Sequence, residues 1–142
     1  MEKYTIDFEV TKKEAGLLLG ILSIFLKNTT NPEAKKSILP VFKEIQNDIG
    51  IDDYIFGKVA NALADSTNSI VKKTSTLHNG LGLKLGFIKL ELPRRCNAIS
   101  RDIVIRLKPG KKHKTILRKQ VIAASTVQDL INLIKKSYEA AK

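Results

Sequence analysis

The apolar positions in the first half of the chain change from a period of two to helical spacing. The stretch KYTIDFEV has its four apolar side chains after Lys3 at positions 4, 6, 8 and 10, which predicts a half-buried strand over residues 3–10. Thr11 and Glu14 have the spacing of a capping box and predict a helix that ends near residue 27. Pro32 or Pro40 can begin a second helix, because proline suits a first helical turn, and Gly50 predicts its end.

The next part of the chain predicts a third helix and then two strands. Asp52 is placed to cap a helix from about residue 53 into the seventies, and a kink can form at DSTNS, residues 65–69. In residues 81–92 the apolar side chains change from odd to even positions near Gly86, which predicts a strand region with a bulge or tight turn. Alternation predicts another strand over 103–108, and STVQ at Ser125 is a second capping box that opens a C-terminal helix.

The dipeptide Pro109-Gly110 allows two predictions for the segment after it. A β-hairpin would continue as a strand without an apolar face. A helix would gather positions 113, 116, 117, 120, 121 and 124 on one stripe, so the helix is favoured. Lys108, Lys111, Lys112 and Lys114 would then crowd a helix N-terminus, which is unfavourable unless an anion such as a DNA phosphate binds there. Lysines that simply extend into water are the alternative.

The charge of the chain is concentrated in its second half. Residues 1–79 contain 10 Lys or Arg and 10 Asp or Glu, whereas residues 80–142 contain 15 basic and 4 acidic residues and so carry the whole net charge of +11. Basic residues clustered in a folded region indicate a polyanionic partner, because evenly distributed charge would serve solubility equally well. A solvated, lysine-rich surface remains the alternative.

Other functional classes have weaker support in the sequence. The apolar segment at residues 15–26 would span roughly 18 Å as a helix, short of the ~30 Å hydrocarbon core, so we expect a helix that is buried or covered by a partner and no membrane association. His78 and His113 are isolated, and we expect His113 to be a core histidine and Cys96 an ordinary loop cysteine. We therefore expect no catalysis, no metal and no cofactor. A single cysteine and no secretory signal at the start indicate a reducing cytoplasm or a virion assembled in one.

Four segments have the order helix, helix, strand, and strand followed by helix. They are VFKEIQNDIGID (41–52), VANALADSTNSIVKK (59–73), LGFIKLEL (85–92) and IVIRLKPGKKHKTIL (103–117). In this order they resemble the HU and integration host factor family of DNA-architectural proteins. The resemblance covers about residues 38–122, and it implies that the family's DNA-bending arm is shortened here to PRRCNAISRD (93–102).

The resemblance implies an α+β fold in three parts, namely an N-terminal strand and apolar helix (1–30), an HU-like domain (31–124) and a C-terminal helix (125–142). It implies a homo- or heterodimer in the nucleoid that binds duplex DNA through phosphates, without reading the bases. The alternative is a structural subunit of a phage virion that meets other virion proteins through its N-terminal helix. A double-stranded-RNA-binding domain is disfavoured, because the last helix begins without lysines. The residues expected to bind DNA are all basic: Arg94, Arg95, Arg101, Arg106, Lys108, Lys111, Lys112, Lys114, Arg118 and Lys119.

Overall fold

The computed structural model describes residues 10–141 of the chain, without the side chains of residues 12 and 13. Its helices are, in chain order, α1 (Lys12–Asn28), α2 (Pro32–Ile49), α3 (Ile51–Leu63), a π-helical turn (Phe87–Glu91) that leads into α4 (Leu92–Leu107), α5 (Arg118–Ala123) and α6 (Val127–Glu139). The described residues contain no β-sheet, and their one β-bridge joins Thr76 to Thr126. The predicted α+β class is therefore wrong. The predicted strand over 3–10 lies outside the described residues, except for Val10.

The first two helices begin and end as their local signals predict. Thr11 and Glu14 form both bonds of the capping box, with the Glu14 N–H donating to Thr11 Oγ1 at 3.1 Å and the Thr11 N–H donating to Glu14 Oε1 at 2.9 Å. Pro32 begins α2 after Asn31, whose side chain accepts from the backbone of the first turn, while Pro40 lies inside the helix. Gly50 ends α2 with a φ of 82°, a backbone conformation that favours glycine.

The third helix differs from its prediction at both ends. It begins at Ile51, directly after Gly50, so Asp52 lies in the first turn rather than at the N-cap. There its carboxylate pairs with Lys135 of α6 at 3.0 Å. The helix ends at Leu63 instead of continuing into the seventies, because the weak helix formers of residues 65–69 break it, and Ile70 is exposed.

One long helical segment replaces the two central strands and the predicted arm between them. From residue 85 to Leu107 the backbone is helical, and the buried side chains of this segment include Ile88, Leu92, Cys96, Ile99 and Ile103, at steps of three or four residues. The turn widens to a π-helix directly before Pro93, where the Leu92 N–H donates to the Phe87 carbonyl. Proline has no N–H, and in a regular α-helix its ring clashes with the carbonyl four residues earlier, so the wider turn accommodates it.

Pro109 and Gly110 form a turn that starts neither a hairpin nor a helix. The Lys111 N–H donates to the Lys108 carbonyl at 3.0 Å, and Gly110 has a φ of 81°. Proline second and a positive-φ glycine third are typical of a type II turn. Residues 111–117 then run without regular secondary structure, and α5 begins only at Arg118. The predicted helix from about residue 112, with lysines at its N-terminus, is therefore wrong.

The C-terminal helix is confirmed and lies at the centre of the core. It begins one residue later than predicted, with Thr126 as the N-cap and Asp129 as its capping-box partner. Its apolar stripe (Leu130, Ile131 and Ile134) is fully buried, and α6 packs against both α3 and α4. The helix α1 packs against α2 and α3 and adds buried residues to the same cluster.

Candidate nucleic-acid interface

The segment 111–117 has no regular secondary structure, and side chains of two helices supply hydrogen bonds to its backbone. Asn97 of α4 donates through Nδ2 to the Ile116 carbonyl at 3.0 Å and accepts from the Ile116 N–H at 2.8 Å. Two residues earlier in the segment, the Ser137 hydroxyl of α6 donates to the Lys114 carbonyl. The Ser100 Oγ of α4 lies 2.6 Å from the same Ser137 Oγ. The segment is thus attached to α4 and α6 at two points.

This attachment presents a series of basic side chains to solvent. Ile116 is buried, whereas the side chains of Lys111, Lys112 and Lys114 are exposed. Arg94 and Arg101 are exposed on α4, respectively one turn before and one turn after Asn97, and the charge of Arg101 acts on His113. We refer to seven exposed residues as the basic strip: Arg94, Arg101, Lys111, Lys112, Lys114, Arg118 and Lys119.

Acidic residues are absent from the sequence of this region. Between Asp102 and Asp129 the chain contains seven Lys or Arg and no Asp or Glu. A run of cations with no acid between them in the sequence favours a positive potential that attracts polyanions, and low salt strengthens the attraction. The strip therefore has the electrostatic character expected of a phosphate-binding surface.

Three of the ten residues predicted to bind DNA are either bonded to other parts of the protein or buried. Arg95 donates to the Asp65 carboxylate and to the Ala62 carbonyl. Lys108 donates to the carbonyl of Tyr138 at 2.9 Å and to that of Ala141, and so caps the end of α6. Arg106 is 8% exposed. We leave these three out of the basic strip.

His113 lies beside the strip and not on a helical stripe as predicted. Its side chain is half-buried, and burial, followed by the nearby charge of Arg101, lowers its pKa below the ordinary 6.5. At neutral pH the imidazole is therefore mostly uncharged. A phosphate bound to the strip would oppose the effect of Arg101 and favour the protonated ring.

Cys96 lies in α4, within the core, and not in a loop as predicted. Its thiol is buried, and burial raises its pKa to about 12. A thiol in this environment stays protonated, and the neighbouring arginines in the sequence do not activate it. Within residues 10–141, no three His, Cys, Asp or Glu side chains lie close enough to hold a metal ion.

Sequence reasoning missed the three polar residues that position the strip. Asn97 and Ser100 belong to the segment interpreted as an arm, and Ser137 of the last helix was not singled out. The available signal was a helical stripe through Leu92, Cys96 and Ile99, which places Asn97 next to the buried face.

No family model, curated protein or solved structure matches the chain at a significant level. The function must therefore be argued from the charge and geometry of the site. None of the described helices combines the length and the hydrophobicity needed to cross a bilayer.

Proposed function

We propose that the protein binds duplex DNA without sequence preference, through contacts between the basic strip and backbone phosphates. The observation that carries this proposal is the acid-free segment 111–117, which is attached to α4 and α6 and presents Lys111, Lys112 and Lys114 to solvent. Phosphate contacts need flexible cations at a fixed place and no particular base edge. Such contacts require neither an HU-like fold nor a β-ribbon arm nor a helix N-terminus.

Salt-dependent DNA binding tests the proposal directly. Each neutralised phosphate releases counterions, so the logarithm of the affinity falls with the logarithm of the salt concentration with a slope of about −0.9 per phosphate. We expect a slope of about −4 or steeper by fluorescence anisotropy, equal for duplexes of unrelated sequence. Changing Lys111, Lys112 and Lys114 together to Ala should flatten the slope by roughly 2.7.

A matched control separates the strip from net charge. Lys35, Lys36 and Lys43 are exposed on α2, and their joint change to Ala removes the same three charges. The proposal requires this control to keep most of the salt slope. Equal losses in both triple variants, or no binding at low salt, would contradict it.

A structural subunit of a virus particle is the second candidate, and it rests on a different surface. Leu17, Ile21 and Ile24 of α1 are each about 60% exposed and lie at i, i+4 and i+7. This narrow apolar seam suits a helix-to-helix contact with a second copy of the chain. In that role, the basic strip would face packaged DNA, and the two functions would share one assembly.

A further inference from the structure

Arg106 is a buried cation that lacks a partner for one of its polar atoms. It lies near the end of α4, its side chain is 8% exposed, and its buried Nε has no hydrogen-bond acceptor among the described residues. None of the ion pairs within residues 10–141 includes it. A buried guanidinium without a hydrogen-bonded anion is costly, so its retention needs an explanation.

A second cation, Lys58 of α3, lies where α1 meets α4. The Lys27–Asp102 pair, at 3.7 Å, joins α1 and α4 one helical turn away from Ser23 and Arg106. Lys58 Nζ donates to Ser23 Oγ of α1 at 2.8 Å, and the fully buried Ser23 also accepts from the Tyr54 hydroxyl at 3.5 Å. Burial lowers the pKa of Lys58, and the charge of Arg106 lowers it further. We call Ser23, Tyr54, Lys58 and Arg106 the polar junction, because they lie where α1, α3 and α4 meet.

Among the described residues, the acid near the polar junction does not balance its cations. Asp102 acts on Tyr54 and Lys58, and it is also 3.7 Å from Lys27 of α1, which is exposed. Counting the less exposed Lys58 and Arg106 against Asp102 leaves a net charge of +1 among these residues. An anion would neutralise this excess.

The free donors of the junction suit an oxyanion. Arg106 Nε–H has no acceptor, Lys58 has three N–H donors of which Ser23 uses one, and Ser23 keeps its own proton because it accepts from both neighbours. A guanidinium next to an ammonium and a hydroxyl is a donor set that binds phosphate through charge-assisted hydrogen bonds.

We infer that the polar junction is a binding site for one phosphate group, either inorganic phosphate or the phosphate of a small molecule, held by Arg106, Lys58 and Ser23. The site is separate from the basic strip: at ~100° per residue, Arg106 lies about 140° around α4 from Arg101. It is also too buried for the backbone of a rigid duplex. The inference therefore does not depend on DNA binding.

Calorimetric titration of the full chain with inorganic phosphate, in chloride buffer at constant ionic strength and without DNA, tests the site. We expect saturable binding at one site and a rise in Tm that follows the occupancy. Arg106→Met should weaken phosphate binding by about tenfold or more, because a charged hydrogen bond is lost. Lys43→Met removes an equal charge from an exposed position on α2 and should leave the binding unchanged.

The stability of Arg106→Met without phosphate provides an independent result. If the arginine is an uncompensated buried charge, its replacement by an apolar side chain should keep or raise Tm.

Lys58→Met is the second variant, in case Arg106→Met does not fold, and it should weaken phosphate binding as well. Acetate and a small phosphate monoester distinguish a general anion site from one that prefers a phosphate dianion, and acetate binding equal to phosphate binding would overturn the inference. Non-saturable phosphate binding, or equal phosphate affinities of the wild type and Arg106→Met, would also overturn it.

Discussion

Arg94 and Arg95 are neighbours in the chain with different surroundings. Arg95 donates to both carboxylate oxygens of Asp65, at 2.8 and 3.2 Å, and its guanidinium lies 5.1 Å from the centre of the Phe87 ring. It connects the start of α4 to the end of α3. Arg94 is exposed and forms no ion pair with a described residue. Their equal charges in the sequence conceal this difference, because Asp65 is 30 residues away.

Substitutions of the two arginines should affect different properties, Arg95 the stability of the fold and Arg94 the binding of DNA. Arg95→Met is expected to lower the free energy of unfolding by about 1 kcal/mol, because it loses the Ala62 carbonyl and the partly screened Asp65 pair. It should leave the salt slope unchanged. Arg94→Met should leave stability unchanged and flatten the slope by roughly 0.9. Urea unfolding and anisotropy measure the two effects, and a flatter slope in Arg95→Met would show that Arg95 leaves Asp65 to bind DNA.

DNA affinity should rise as the pH falls from 8 to 6. The pKa of His113 in the free protein is below 6.5, and a bound phosphate would raise it, so binding takes up a proton. His113→Asn should abolish this pH dependence, whereas His78→Asn, in the loop beside Leu83, should keep it. The pH dependence of folding has a different cause. Because the pKa of His113 is lower in the folded protein than the ordinary 6.5, its contribution to the free energy of unfolding is complete above pH 6.5 and decreases as the pH falls below that value. An unchanged pH profile in His113→Asn would place His113 outside the interface.

At the scale of secondary structure, the sequence predicted the helix ends better than the strands. Thr11, Pro32 and Gly50 act through contacts within a few residues, and all three signals were confirmed. The strands failed because short apolar runs fit two periods. In residues 103–108 three apolar residues alternate, yet Ile103 and Val104 are buried and Ile105 is exposed, which is a helical pattern.

The irregular conformation of residues 111–117 could not be predicted from the segment itself. Its residues favour a helical stripe, but Asn97 and Ser137 supply backbone hydrogen bonds from positions 19 and 23 residues away. A tertiary contact of this kind overrides local preference. The concentration of charge does not depend on local conformation, and seven of the ten basic residues singled out in the sequence are exposed.

Asn97 is expected to control the order of the basic segment. Asn97→Ala removes both hydrogen bonds to Ile116, so the Ile116 amide should exchange with solvent faster. DNA affinity should fall several-fold without any change of charge, because ordering the lysines on binding then costs conformational entropy. Asn61→Ala, at an exposed position of α3, is the control. Hydrogen exchange by NMR measures the effect, and unchanged protection at Ile116 would refute the role given to Asn97.

At the scale of the whole molecule, α1 serves the core and the surface at once. Leu19 and Leu26 are buried against the other helices, while Leu17, Ile21 and Ile24 form the exposed seam. Deleting α1 would therefore remove part of the core and cannot test the seam by itself. A point change in the middle of the seam leaves the buried face intact.

Ile21→Glu should convert a dimer into a monomer if the seam pairs two copies of the chain. Ile70→Glu makes the same change at a more exposed apolar residue outside the seam and should not alter the mass measured by light scattering. A dimer presents two basic strips, so its dissociation should roughly halve the salt slope for a long duplex. A halved slope would mean that assembly and DNA binding act together. A dimer that dissociates with an unchanged slope would mean that each copy binds DNA alone, and a wild-type monomer would refute the seam as a self-contact.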